Sequence, residues 1–322
     1  DLGGADATPS ALAVVGFTLA VGVGSTLFFL GSRAYVYHEA ILCGATFALW
    51  SAWCSLRWLD APDSRAWLGA LVCGLLSVHS RPSSGLFALA TLGGSALAIA
   101  LAGKSYRRPL AVALLAGAAV LSFNALSWLK FGTLDGSPFK YAIQYDAARR
   151  ARFEDRNFHA ANLGHNLAAY VTRPNVTVHA NFPWTKVEWQ PARDFPGAKI
   201  DMAERTLALP FAMPALCLAA LIGVAASLHS ATTQRRDLAV LALGLLPMAA
   251  ALLCAIVVSH RYTADFCPWL IATAAAGVAI VDKVAGCRPW LLMVALAATL
   301  AWSVLFTTTF SIAFQGELVR GV

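Results

Sequence analysis

Charge is scarce in this sequence. Of its 322 residues, 13% are Asp, Glu, Lys or Arg, about half the share in a soluble globular chain. So few charged side chains could not cover a water-facing surface of this size, and 58% of the residues are apolar, which excludes disorder as well. The seven cysteines (Cys43, Cys54, Cys73, Cys217, Cys254, Cys267 and Cys287) contain no CxxC, and most sit in apolar stretches. An odd count without paired spacing excludes a disulfide framework or a zinc site, so they read as small core residues. Strand alternation is absent, which argues against a barrel. The net charge of +7 comes without a basic block outside loops, so nucleic acid is not an expected partner. No signal peptide is visible. The first residue is Asp1, not Met, and the expectation is a chain processed or incomplete at its start.

What remains are long apolar runs. Crossing hydrocarbon takes about 20 residues. Runs near that length fall at Ala11–Leu30, Glu39–Leu56, Ala66–Val78, Gly85–Ala102, Leu110–Leu129, Leu207–Leu228, Leu238–Val258, Phe266–Val281 and Pro289–Thr309. The expected fold is all-α, a polytopic transmembrane helix bundle of about nine spans with one long, partly helical extracytoplasmic segment. It divides into N-terminal helices (1–129), that segment (130–206) and C-terminal helices (207–322). The third and fourth runs are separated only by HSRPSS, where Pro82 favours a turn or a break. Small residues in VGVGS (Val21–Ser25) and ATAAAG (Ala272–Gly277) suit close helix packing. Within the long segment, basic Tyr141–Arg156 and amphipathic Phe158–Val171 suit the membrane surface. Trp184 and Trp189 suit the headgroup region or a sugar ring.

The loops have an asymmetry. Alternating the short connections puts Arg57, Arg65, Lys104, Arg107, Arg108, Arg235, Arg236, Lys283 and Arg288 on one side. Arg33, Arg81, Arg261 and Arg320 fall on the other. The basic-rich side is expected in the cytoplasm, and the long segment then faces periplasm or lumen. Asn175 opens an Asn-Val-Thr glycosylation sequon there, which matters only in a eukaryotic host. Asn124, inside a span, reads as a packing residue.

Three connections on the outward side are alike: GSRAYVYHEA, SVHSRPSSG and SHRYTADFCPWL. Each carries His and Arg. Arg33, Arg81 and Arg261 are candidate phosphate-binding residues, because guanidinium forks match phosphate oxygens. His38, His79 and His260 are candidate supporting groups for hydrogen bonding or proton transfer. Glu39 and Asp265 are the candidate catalytic acids, as a base toward a sugar hydroxyl or beside a divalent ion. The plainer alternative is that such pairs cap helix ends and snorkel.

The order VYHEAILCGATFALW, then LLSVHSRPSSGL, then HRYTADFCPWL, with NFHAANLGHNLAAYVTRPN between the last two, resembles polytopic glycosyltransferases of the C superfold and their uncharacterised relatives. The resemblance covers most of the chain through short loop motifs and layout. It implies a membrane enzyme that moves a sugar from a polyprenyl-phosphate donor to an extracytoplasmic acceptor. It also implies an acidic residue in the first outward loop, often assisted by a divalent cation (Mg or Mn). Glu39 is the nearest match, in a connection shorter than the family's. If a leading span and catalytic loop precede Asp1, the catalytic acid lies outside this chain and Glu39 has a lesser role. The residues themselves assign no metal ligands. Expected partners are a lipid-linked sugar, membrane lipids and other membrane proteins. The expected location is a bacterial inner membrane, or endoplasmic reticulum in a eukaryote. Two other readings stay open: a non-catalytic structural subunit of a membrane assembly, and a lipid or solute transporter.

Overall fold

The computed structural model describes residues 9–33, 35–61, 63–103, 106–134, 136, 138–141, 146–188, 195–230, 232–284 and 290–319. Lys104, Trp189, Cys287, Arg288 and Arg320 lie outside them, and with them the readings placed on those residues. The chain is mostly helical. Its helices are α1 (Ala11–Gly22), α2 (Thr26–Gly31), α3 (Val36–Asp60), α4 (Ser64–Ser80), α5 (Pro82–Ala102), α6 (Arg107–Phe131), α7 (Ala147–Arg152) and α8 (Leu163–Leu167), followed by α9 (Leu209–Ala212), α10 (Pro214–His229), α11 (Thr232–Cys254), α12 (Cys267–Val284) and α13 (Trp290–Val319).

Among the described residues, six helices are long and apolar enough to cross a membrane: α3, α5, α6, α11, α12 and α13. Three of the nine expected spans are shorter or interrupted. The run Ala11–Leu30 breaks at Val23–Ser25, because VGVGS acts as a helix end. The N–H groups of Val23 and Gly24 both return to Leu19 O, and Ser25 Oγ caps α2 by accepting from Leu27 N. The run Leu207–Leu228 breaks at Met213, whose successor Pro214 opens α10; proline disfavours helical backbone in the residue before it. Both breaks meet α13 at Ser303. Its Oγ accepts from Ala215 N at 3.3 Å, and a Cβ on Gly24 would sit 3.0 Å from Ser303 Cβ. The third run forms α4, of 17 residues.

Close packing is set by small residues. On α10, Ala219 and Gly223 face Thr273 and Gly277 of α12. A Cβ at Gly277 would lie 1.9 Å from Ala219 O, and one at Gly223 would lie 2.0 Å from Thr273 O. The two backbones are therefore in direct contact, as small-xxx-small pairs allow in membranes.

The long segment is more folded than its sequence suggests, and less helical. Among the described residues of Tyr141–Arg156, α7 is α-helical and a 3-10 turn spans Phe139–Tyr141. It also contains strands. β1 (Val176–Val178) pairs antiparallel with β2 (Thr185–Val187), with Thr177 opposite Lys186. β3 (Met202–Ala203) runs parallel to β4 (Val257–Val258), which lies in the connection from α11 to α12. Arg149 holds Asp201 through two parallel bonds of 2.8 Å.

Phe158–Val171 shows an inverted amphipathic pattern. Phe158, Leu163, Leu167 and Val171 are exposed, whereas His165, Asn166, Ala169 and Tyr170 are fully buried. The segment therefore turns an apolar stripe outward. The polar residues turned inward close the end of α11. Asn166 Nδ2 donates to Leu252 O, Leu253 O and Ala255 O at 3.2, 3.0 and 2.8 Å. Asn162 Nδ2 reaches Cys254 O and Ala255 O. These are carbonyls that the last turn of a helix leaves without a partner. Asn166→Ala takes the donor from Leu253 O, and one of two from Leu252 O and Ala255 O, in a buried place and is expected to cost about 2 kcal/mol. Thermal unfolding of the purified protein in detergent checks this, and an unchanged midpoint contradicts it.

Candidate functional site

The connections bearing the three arginines meet at one end of the bundle, together with the long segment. The opposite end is marked by other pairs: Ser10 with Asp282, and Arg236 with Asp60.

Arg81 is the single residue between α4 and α5, in an extended conformation before Pro82. Its N–H closes α4 on Ser77 O at 2.7 Å. It passes close over α3, where Gly44 leaves room; a Cβ there would be 2.5 Å from Arg81 Cβ. Its guanidinium donates to Asp265 from Nη2 at 2.7 Å and from Nε at 3.1 Å. Ser83 and Ser84 hydroxyls add bonds of 2.8 and 3.0 Å to the same carboxylate. Asp265 is completely buried, so these donors replace its hydration.

Arg261 lies one connection further along. Its Nη2 is 3.1 Å from Glu204 Oε1, and Glu204 also accepts from the Ser259 hydroxyl. The Ser259 N–H donates to the Tyr170 hydroxyl at 3.3 Å. Tyr170 stays a neutral phenol, because burial pushes its pKa up. Aromatic rings link the arginines. Tyr262 lies under both Arg81 (4.7 Å) and Arg261 (5.3 Å), and Tyr37 lies under Arg261 at 4.9 Å. Tyr37 meets His38, which meets Phe29. Arg33 then stands 4.8 Å over Phe29 and 3.7 Å over Phe314. Cation–π contacts of this kind hold a guanidinium in place.

His260 packs edge-on against Phe29 and Phe310 at 5.3 and 4.8 Å. Among the described residues, the buried Nδ1 atoms of His38 and His260 have no hydrogen-bond partner.

Thus Arg33, Arg81, Arg261, His38, His260 and Asp265 come together. His79 does not: it is exposed and bonds Ser122 Oγ on α6 at 2.9 Å. Glu39 is exposed in the first turn of α3, beside His38 but turned away from its buried face. Asp265, a candidate catalytic acid, faces Arg81, Ser83 and Ser84. Both its oxygens are engaged by donors, so it anchors Arg81.

A divalent cation does not fit these carboxylates. Asp265 and Glu204 each face a guanidinium and hydroxyl donors, surroundings that repel a cation. Among the described residues no three His, Cys, Asp or Glu side chains gather as ligands.

Glu204, Tyr37, Tyr262 and Tyr170 went unnoticed in the sequence. Glu204 is one of eight acids in the long segment, and only its position opposite Arg261 sets it apart.

No family model, curated protein or solved structure matches this chain. Function is therefore read from the geometry and from the resemblance of the loop motifs.

Proposed function

We propose that this chain is a membrane glycosyltransferase that moves a sugar from a polyprenyl-phosphate donor to an extracytoplasmic acceptor, with Arg33 and Arg261 gripping the donor phosphate and Arg81 buttressing them. The observation that carries this reading is the joining of three arginines, far apart in sequence, through one run of aromatic rings at one end of the helix bundle. Anionic headgroups gather where guanidinium groups are held in place at a membrane surface. Positive-inside alternation supports a periplasmic or lumenal side for that end.

The chemistry is a direct displacement with inversion. An acceptor hydroxyl oxygen bonds to the anomeric carbon, and the carbon–oxygen bond to phosphate breaks. The lipid phosphate leaves with the electron pair, and a carboxylate takes the hydroxyl proton. With Asp265 engaged, Glu39 is the remaining candidate for that base, exposed beside His38. The arginines oppose the charge that grows on the leaving phosphate.

The full chain in lipid nanodiscs is expected to retain undecaprenyl phosphate over undecaprenol by native mass spectrometry. Arg261→Gln is expected to weaken that retention by roughly tenfold, the usual worth of a charge-assisted bond. Equal retention of the charged and uncharged lipids overturns the reading.

One observation favours a different assignment. The breaks in α1–α2 and α9–α10 face each other at Ser303, midway along α13. Paired discontinuous helices at mid-depth belong to transporters. Equal lipid retention would leave that reading ahead. The Arg81–Asp265 and Arg261–Glu204 pairs would then serve only to hold helices together, as in a structural subunit.

A further inference from the structure

The hairpin of β1 and β2 roofs a cavity of about 760 Å³ over the end of α13. Its floor is made by Phe310 and Phe314, and its roof by Asn181, Phe182 and Trp184, with Arg205 at one side. The roof is firmly seated. Thr185 Oγ1 bonds Thr309 Oγ1 at 2.9 Å in a buried place, and Val187 is buried in the core. Phe182 and Trp184 stand edge to face at 5.1 Å, both with exposed surface.

Trp184 adopts φ of +61°, a conformation that bulky side chains avoid and that costs free energy. The hairpin holds it there by bonds from Trp184 N to Asn181 O (2.8 Å) and from His179 N to Trp184 O (2.7 Å). The result is an indole displayed at the cavity instead of packed away.

We infer that this cavity binds a saccharide, stacked on Trp184 and Phe182 and hydrogen-bonded by Asn181, His179 and Arg205. Sugar rings offer apolar C–H faces to aromatic planes and hydroxyls to amides and guanidinium groups, and this lining offers both. Its size lies within the usual range for small-molecule pockets, about 300–1,000 Å³. A second cavity, about 560 Å³ between α1, α10, α12 and α13, serves as a contrast. It is lined by residues such as Gly16, Ala219 and Leu300, with Ser10 and Asp282 only at its end. That lining offers almost no hydrogen-bonding groups, whereas the hairpin cavity adds His179, Asn181, Lys186 and Arg205 to its aromatic walls.

The cavity is next to the arginine cluster. The Phe314 ring that forms its floor carries Arg33 at 3.7 Å, and Phe310 carries His260. One layer of rings separates the cavity from the arginine cluster. That the saccharide is the acceptor rests on the transferase reading; that the cavity takes a saccharide does not.

The test uses the full chain in nanodiscs on an array of bacterial and plant oligosaccharides, with undecaprenyl phosphate retention measured on the same preparation. Trp184→Ala is expected to lower saccharide binding by about tenfold or more, the usual loss on truncating an aromatic anchor, and to leave lipid retention unchanged. Ala313→Trp, which fills the cavity from the helix side, is expected to do the same in a protein whose hairpin sequence is intact. An array that binds nothing overturns the inference. So does a loss of lipid retention in either variant, because the cavity would then hold the prenyl chain. Saccharide binding without any preference for undecaprenyl phosphate upholds the cavity and overturns the transferase reading.

Discussion

Replacing Asp265 by alanine is expected to destabilise the protein by about 3–5 kcal/mol, the usual cost of removing one member of a buried ion pair. The carboxylate is fully buried and holds Arg81, Ser83 and Ser84 together. Without it, the Arg81 guanidinium keeps its charge and loses the carboxylate that holds it. The link between the α4–α5 turn and the connection that leads into α12 is lost with it. The double variant Arg81→Met, Asp265→Leu is expected to recover much of the loss, because no uncompensated charge remains. Thermal unfolding followed by size-exclusion chromatography in detergent reads both variants. A single variant as stable as the native chain would show that the pair contributes nothing. A double variant as unstable as the single one would show that packing, not charge, is at stake.

Gly277→Val is expected to have an effect of the same order, about 3 kcal/mol or more, because overpacking at a fixed contact forces backbone shifts. Its Cβ would fall 1.9 Å from Ala219 O. Neither atom belongs to a flexible side chain, so α10 and α12 must move apart. That movement strips the packing that substitutes for a hydrophobic driving force between helices in lipid. Gly93, where an added Cβ meets nothing within 4 Å, gives the control. Gly93→Ala is expected to leave the unfolding midpoint unchanged or slightly raised, since alanine favours helix. Equal behaviour of Gly277→Val and Gly93→Ala would show that the α10–α12 contact is looser than the structure has it.

Much of the fold is legible in the residues. Long apolar runs announce α3, α5, α6 and α11–α13, because transfer into hydrocarbon is a sum over neighbouring side chains. Pro82 marks the α4–α5 turn for a similarly local reason. The same averaging hides the breaks at Val23–Ser25 and Met213, where the hydropathy barely changes. VGVGS carries both a packing and a helix-ending signal, and only the contact with Ser303 separates them. Phe158–Val171 reads as amphipathic, yet which face is buried depends on the carbonyls at the end of α11, roughly ninety positions away.

The site divides in the same way. The three loop motifs identify Arg33, Arg81, Arg261, His38 and His260, because charged and imidazole groups at span ends stand out against an apolar background. His79 satisfies the same pattern and points to α6 instead. Asp265 looks like a free acid until Arg81, 184 positions earlier, is brought onto it. Glu204 has no local mark at all.

The sequence by itself therefore determined the class of protein, most of its spans and the residue types at their ends. Those follow from solvation, which each stretch of chain experiences on its own. Tertiary structure alone decided which charges are spent on each other, which helices break against Ser303, and that a hairpin should cover the end of α13. Each of these is a pairing between distant segments, set by the space left once the helices have packed.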